Sequence, residues 1–294
     1  MKASVVICTY GRPEQAKKLL EELNKQTYKD FEVLVVCQGD KHDLEEIENS
    51  VKASYFKKFY YEANPNLPHA RNVGIKQAVG EIVIFLDDDI KPVGTLIEAH
   101  VANYSDAAVG MIGGRISEKK LGEDIPDSKI GMIRKLDGFA YSGFDKNVRR
   151  EVMHVKGGNM SARRSVALEI GGFDEQFKGT AEYEEMDFCL RVLKKGYKII
   201  FDPIPIIEHL SLSFGGCRIE RREDQVYWLY RNHSLVFLKN FNKLFYPVLL
   251  AEYIVRIILR SLRWCDFKVI GSGVRGIRDG WKAYFSKPHQ RSWE

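Results

Sequence analysis

Residues 81–89 read Glu-Ile-Val-Ile-Phe-Leu-Asp-Asp-Asp, five consecutive apolar residues that stop on three adjacent carboxylates. An apolar run of this length with a polar stop is the pattern of a strand buried on both faces, as in a parallel sheet covered by helices. Upstream, Ala3 to Cys8 and Phe31 to Val36 repeat the pattern, and Phe59 to Glu62 is a shorter version. Helices fall between them. Glu14 to Gln26 carries Leu19, Leu20 and Leu23 at helical spacing, with Pro13 near the first turn, where its missing N–H costs nothing. Asp43 to Val51 and Pro68 to Val79 read as two more. The alternation predicts an α/β fold, a Rossmann-like, mostly parallel sheet sandwiched by helices, with ligands beyond the carboxyl ends of the strands.

Past Ile90 the alternation loosens. Val109 to Gly113, Val152 to Val155 and Lys198 to Phe201 read as short strands, and a helix runs from Glu184 to Gly196 with acids in its first turn and lysines in its last. The 294 residues, 45% hydrophobic and 29% charged, exclude a disordered chain, a collagen and a heptad rod. Lys+Arg 45 against Asp+Glu 40 leaves a net charge of +5, which suits phosphates or an anionic membrane surface better than nucleic acid. Five dispersed cysteines form no C-x-x-C pair, so neither a zinc cage nor a disulfide framework is expected and a reducing cytoplasm is. The first residues lack a signal peptide's apolar stretch.

The chemistry begins at Asp87, Asp88 and Asp89. Three adjacent carboxylates repel one another unless positive charge lies among them, and Mg²⁺ or Mn²⁺ bridging a ligand's diphosphate would supply it. A solvated acidic turn is the plain alternative. Around this cluster the chain resembles a family 2 inverting glycosyltransferase of the GT-A fold. Val5-Val-Ile-Cys-Thr-Tyr-Gly-Arg-Pro13 resembles the opening strand and donor loop, Asn66 to Asn72 the segment ending in Ala-Arg-Asn, and Asp87 to Asp89 the D-x-D motif. Gly157-Gly-Asn159 with Gly171 to Glu175 resembles the acceptor-side loop, and Glu184 to Arg191 the E-D-x-D-L-C-L-R helix. The likeness covers roughly residues 3–215.

The resemblance implies transfer of a sugar from a nucleotide-diphosphate donor to a saccharide or lipid-linked acceptor hydroxyl. It makes Glu185 the catalytic base, with Glu184 as rival because the family's Glu-Asp pair is here Glu-Glu. Thr9, Tyr10, Arg12, Gln38, Asp40, Arg71, Asp87 and Asp88 would face the donor, and Asn159 and Asp174 the acceptor. Asp89, Asp87 and His209 would hold the metal. Cys37 replaces the Asp that often meets the nucleobase, which leaves Gln38 and Asp40 as base-edge partners. A sugar nucleotidyltransferase is the rival enzyme, although the loop after the first strand, Thr9 to Pro13, has a single glycine. A non-catalytic nucleotide-sugar-binding scaffold is the rival outside catalysis.

Residues 1–222 are expected to form the catalytic domain, with donor binding to about residue 115 and the acceptor side beyond, and 223–294 a helical appendage. In Phe245 to Trp264, Glu252, Arg256, Arg260 and Arg263 share a narrow stripe while the rest of the circumference is nearly all apolar. Three arginines near a bilayer centre would each cost several kcal/mol, whereas a helix lying in the interface keeps them in water. A basic segment from Lys268 to Lys287 with Trp281, Tyr284 and Phe285 adds to that reading. The expectation is peripheral contact with the inner face of the cell membrane; packing on the catalytic domain or homo-oligomer formation is the alternative.

Overall fold

The computed structural model describes residues 1–117, 125–212 and 214–286. Lys287 and Ser213, of the basic segment and the His209 segment, lie outside the described residues. In chain order, β1 (Ala3–Tyr10), α1 (Pro13–Leu23), β2 (Phe31–Gln38), α2 (Lys41–Ser50), β3 (Phe56–Glu62), α3 (Leu67–Gln77) and β4 (Ile82–Asp87) make the opening alternation. Then follow β5 (Ile90–Pro92), α4 (Leu96–Ala102), β6 (Val109–Ser117), β7 (Arg150–Glu151), β8 (Asn159–Arg163) and α5 (Arg164–Glu169). α6 (Glu184–Lys194), β9 (Lys198–His209), α7 (Arg222–Asn240), α8 (Tyr246–Trp264) and α9 (Lys268–Phe285) complete the described chain.

One sheet orders its strands β3-β2-β1-β4-β8-β6-β9-β5, with β7 on the side of β9. β1 to β4, β6 and β9 run the same way, and β8, β5 and β7 run against them. The predicted α/β sandwich is therefore present. Along β1, Val5 and Ile7 enter a core shared with Leu19, Leu20 and Leu23, while Val6 enters the opposite core with Phe85, Phe173 and Phe188. Burial on both faces is why these strands read as unbroken apolar runs.

Two expectations need correcting. No strand forms over Val152 to Val155; a two-residue pairing at Arg150–Glu151 precedes it, and both valines pack in the core. β9 does not stop at Phe201 but continues to His209 across a register shift opposite Gly114 and Arg115.

The C-terminal helices are built into the body. Phe177, Met186 and Leu190 share a buried cluster with Leu235, Val236 and Ala283, so the core crosses the expected boundary at 222/223. α9 lies against the α7 backbone at Gly276 and Gly280, where a Cβ would sit 2.3 Å from the Tyr227 oxygen and 2.4 Å from that of Arg231. α8 divides its apolar circumference. Leu249, Tyr253 and Ile257 join a core with α7 and α9, whereas Val248, Ile254, Val255, Ile258, Leu259 and Leu262 are exposed.

Candidate active site

The parallel register of β1 and β4 sets Cys8 beside Asp87, so the Asp87-Asp88-Asp89 turn leaves the sheet next to the end of β1. Antiparallel pairing of β5 with β9 sets Ile90 opposite His209, and the Leu210 N–H donates to the Asp89 carbonyl at 2.9 Å. His209 thus arrives beside the acids from 120 residues away in sequence. One ligand atom from each of Asp87, Asp89 and His209 lies within 4.8 Å of the others. Two carboxylates and an imidazole in that spacing fit Mg²⁺ or Mn²⁺.

Part of the positive charge this cluster needs is already present. Arg12 Nη1 donates to Asp88 at 2.9 Å and lies 3.1 Å from Asp89. Its Nε and Nη2 donate to the carbonyls of Phe214 and Gly215, at 2.6 and 3.1 Å. Thr9 Oγ1 donates to Asp88 at 2.7 Å. Burial nevertheless pushes the Asp88 carboxyl up to about 6, against the pull of Arg12 and Thr9. For Asp89, burial is outweighed by His209 at 3.4 Å and by Arg12, and its carboxyl falls below the usual range.

α3 supplies the next charge. Asn66 caps it by accepting the His69 N–H at 3.2 Å, and the Pro68 ring fits the first turn. This aims buried Arg71 across the cleft, where it bonds Glu184 and lies 3.6 Å from Asp87. Burial raises the Glu184 carboxyl, and Arg71 opposes that rise. Glu185, on the next residue of α6, is half-buried and carries no hydrogen-bond or ion-pair partner among the described residues. Before these acids, Ala181 (φ 53°) and Tyr183 (φ 72°) adopt left-handed conformations that cost L-residues free energy. Tyr183 is held there by stacking on His233 of α7, with ring centroids 4.6 Å apart.

A cavity of about 1150 Å³ joins these elements, lined by Tyr10, Arg12, Gln38, Arg71, all three aspartates, Glu184, Glu185 and His209. Thr9 stands behind it, holding Asp88. Three expected ligand contacts lie elsewhere. Asp40 caps α2 by accepting the His42 N–H and does not line the cavity. Asn159 is buried and saturated by His100 and by the carbonyls of Arg115 and Pro205. Asp174 pairs with Lys239 of α7. A short polar side chain in a glycine-rich loop suits either a ligand or an internal network, and here the network took both. Sequence reasoning missed Lys156, Arg260 and Trp264, which also line the cavity. For the last two the available signal was their i, i+4 spacing on one helical face.

A sheet of this topology, with an acidic strand-end cluster facing helix-borne glutamates across one cleft, is a glycosyltransferase architecture of the GT-A type. Residues 4–171 match the model of Glycosyl transferase family 2, more than half of the chain, and the protein belongs to that family. It is 25% identical over 228 residues to a glucosyl-dolichyl phosphate glucuronosyltransferase of Haloferax volcanii, covering 73% of this chain and 71% of that one. It is 33% identical over 205 residues to the glycosyltransferase YwdF of Bacillus subtilis, covering 66% and 69%. In fold it is similar to S. aureus TarS in complex with UDP-GlcNAc, with a TM-score of 0.66 at 16% identity over 97% of this chain and 82% of that one. A second TarS structure is matched over only 40% of its length, with a TM-score of 0.54 at 20% identity over 82% of this chain. A mannosyltransferase of Pyrobaculum calidifontis, in complex with GDP-Man and Mn²⁺, matches with a TM-score of 0.57 at 16% identity over 96% and 73%.

Proposed function

We propose that this glycosyltransferase moves a sugar, with inversion and with help from a divalent metal, from a nucleoside-diphosphate donor to a lipid-linked saccharide acceptor. The observation that carries the reading is that the Asp87–Asp89–His209 triad and Glu185 line one cavity. An acceptor hydroxyl attacks the anomeric carbon, the bond from that carbon to the diphosphate oxygen breaks, and Glu185 takes the hydroxyl proton. Glu184 is less suited to that work because Arg71 already occupies it. Arg71 and Arg12 keep the acidic turn from repelling a diphosphate. Asp87, Asp89 and His209 would hold Mg²⁺ or Mn²⁺, which when bound would supply charge neutralisation for the departing group. The acceptor class is supported by the name of the Haloferax relative, which acts on a dolichyl phosphate sugar.

The test is a screen of nucleotide sugars for Mg²⁺- or Mn²⁺-dependent diphosphate release. Asp89→Ala should abolish the metal response, and Glu185→Gln should keep donor binding while turnover falls about 10³-fold. Full activity in both variants would refute the assignment.

The exposed side chains of α8 support attachment to the inner membrane face. Placed at about 100° per residue they cover an arc of about 140°, between the packed face and the arginine stripe. No helix of the described residues is long and apolar enough to cross a membrane. Flotation with anionic vesicles should carry the full chain upward; a protein left at the bottom at low salt would argue against attachment.

A further inference from the structure

The end of β2 carries a hydrogen-bond donor that nothing in the fold uses. Gln38 is paired in register with Tyr10 of β1 and Glu62 of β3, so the three side chains leave the same face of the sheet. It is 4% exposed and lines the cavity, together with Tyr10 and with Pro65, Asn66 and Leu67 at the start of α3. The Gln38 carbonyl oxygen accepts the Asn66 N–H at 2.6 Å. A backbone N–H only donates, so this bond fixes which end of the amide faces α3. The amide nitrogen is turned the other way and has no partner among the described residues. A nearly buried donor without an acceptor is costly, and the cavity is the side from which an acceptor can arrive.

Its place in the sheet says which part of a ligand it meets. Along β2-β1-β4, Gln38 stands two strands from Asp87, about 10 Å at the usual strand spacing. On the transfer reading above, the donor's diphosphate sits at the acidic turn with Arg12 and Arg71, which leaves room for the ribose between and brings the nucleobase to Gln38. Tyr10 adds an aromatic ring beside it, lying over Gly39, where a Cβ would come within 2.5 Å of that ring. The neighbouring candidates are engaged elsewhere: Cys37 is packed in the opposite core, and Asp40 caps α2. We propose that Gln38 selects donors whose base presents a keto oxygen at this edge, as uracil, thymine and guanine do, over the amino group of cytosine or adenine. With its own oxygen committed to Asn66, the amide can only donate; a keto oxygen accepts from it, whereas an amino group sets donor against donor. The assignment rests on the transfer reading and adds to it which nucleotides the site accepts.

Nucleoside diphosphates titrated into the full-length protein with Mn²⁺ read the base without turnover. UDP against CDP, and GDP against ADP, compare keto with amino at that edge. The keto member of at least one pair should bind about 10-fold more tightly or better, and the pair that responds gives the size of base the site takes. Gln38→Met removes the donor at similar volume and should bring that pair to within about 2-fold of each other. Asp40→Asn, which keeps the helix cap outside the cavity, should leave the ratio unchanged. Equal binding within both wild-type pairs overturns the proposal, whether or not Gln38→Met folds. So does a preference for the amino member, a ratio that survives Gln38→Met, or an equal loss in Asp40→Asn. Failure of all four nucleotides to bind would refute the transfer reading itself, whereas equal binding of all four would leave that reading standing and remove only the role of Gln38.

Discussion

The two walls of the cavity are built on opposite plans. At the strand ends nearly every polar atom is committed: Thr9 and Arg12 hold Asp88, Arg12 and His209 hold Asp89, and Arg71 approaches Asp87. On the helical wall Glu185 and Arg260 have no hydrogen-bond or ion-pair partner among the described residues, and Arg260 rests over the Tyr230 ring. The first wall resembles a finished binding site, while the second leaves charges to be met by whatever enters. Pre-organised charge suits a diphosphate, which every donor of this kind shares, whereas uncommitted groups suit the variable partner.

Arg71 is where the two plans meet, since it touches Glu184 of the helical wall and Asp87 of the strand ends. Arg71→Met should be the most damaging single change. It leaves a buried carboxyl without its cation, at about 3–5 kcal/mol. Urea unfolding measures this, and adding Glu184→Gln should recover a good part of the loss through coupling between contacting residues. A loss below about 1 kcal/mol would mean that the walls are independent.

Legibility follows the same division. β1, β2 and β4 were readable because strands buried on both faces cannot hide their apolar runs, and the acidic stop of β4 fixed one end of the cavity. Arg71 could be read as facing the donor because the segment from Asn66 to Asn72 resembles the family's own. The helical wall was harder to read. Asn159 and Asp174 look the same in sequence whether they bind a ligand or a neighbour, and only packing decides. Arg260 was assigned to a solvated stripe because a helical wheel gives relative directions without saying which neighbour each direction meets. Trp264, in the same row, becomes meaningful only once α7 and α8 are seen to close the cavity.

Behind the helical wall, α6 carries a buried and fully committed carboxylate, and it sharpens the contrast. Asp187 on α6 accepts from Arg191 Nε at 2.8 Å and Asn240 Nδ2 at 2.9 Å, and pairs with Lys239 at 2.9 Å, which ties α6 to α7. Burial would raise its carboxyl, but Arg191 and Lys239 outweigh burial and hold it down at about 2. A depressed carboxyl contributes stability above its unfolded value near 4, and that contribution is lost as pH falls through about 2. The linked free energy is about 2 kcal/mol. The wild type should lose this amount relative to Asp187→Asn between pH 5 and pH 2, by denaturant midpoints at each pH. Parallel pH curves for the two proteins would remove Asp187 as the clasp.

The smallest expected effect tests how finished the strand-end wall is. A Cβ on Gly158 would lie 2.5 Å from Asp87 Oδ2, so glycine here leaves room for the carboxylate. Gly158 does not have a positive φ, so alanine meets no backbone strain at this position. The Asp87 side chain is 36% exposed and can turn away from the new methyl group. Gly158→Ala should therefore fold with an unchanged melting temperature but hold its metal less well. The Mn²⁺ concentration for half-maximal diphosphate release should rise about 10-fold, the low end of the effect of disturbing a ligand's immediate support. If the metal requirement stayed fixed while Asp89→Ala abolished it, Asp87 would face the donor rather than the ion, and the triad would reduce to Asp89 and His209.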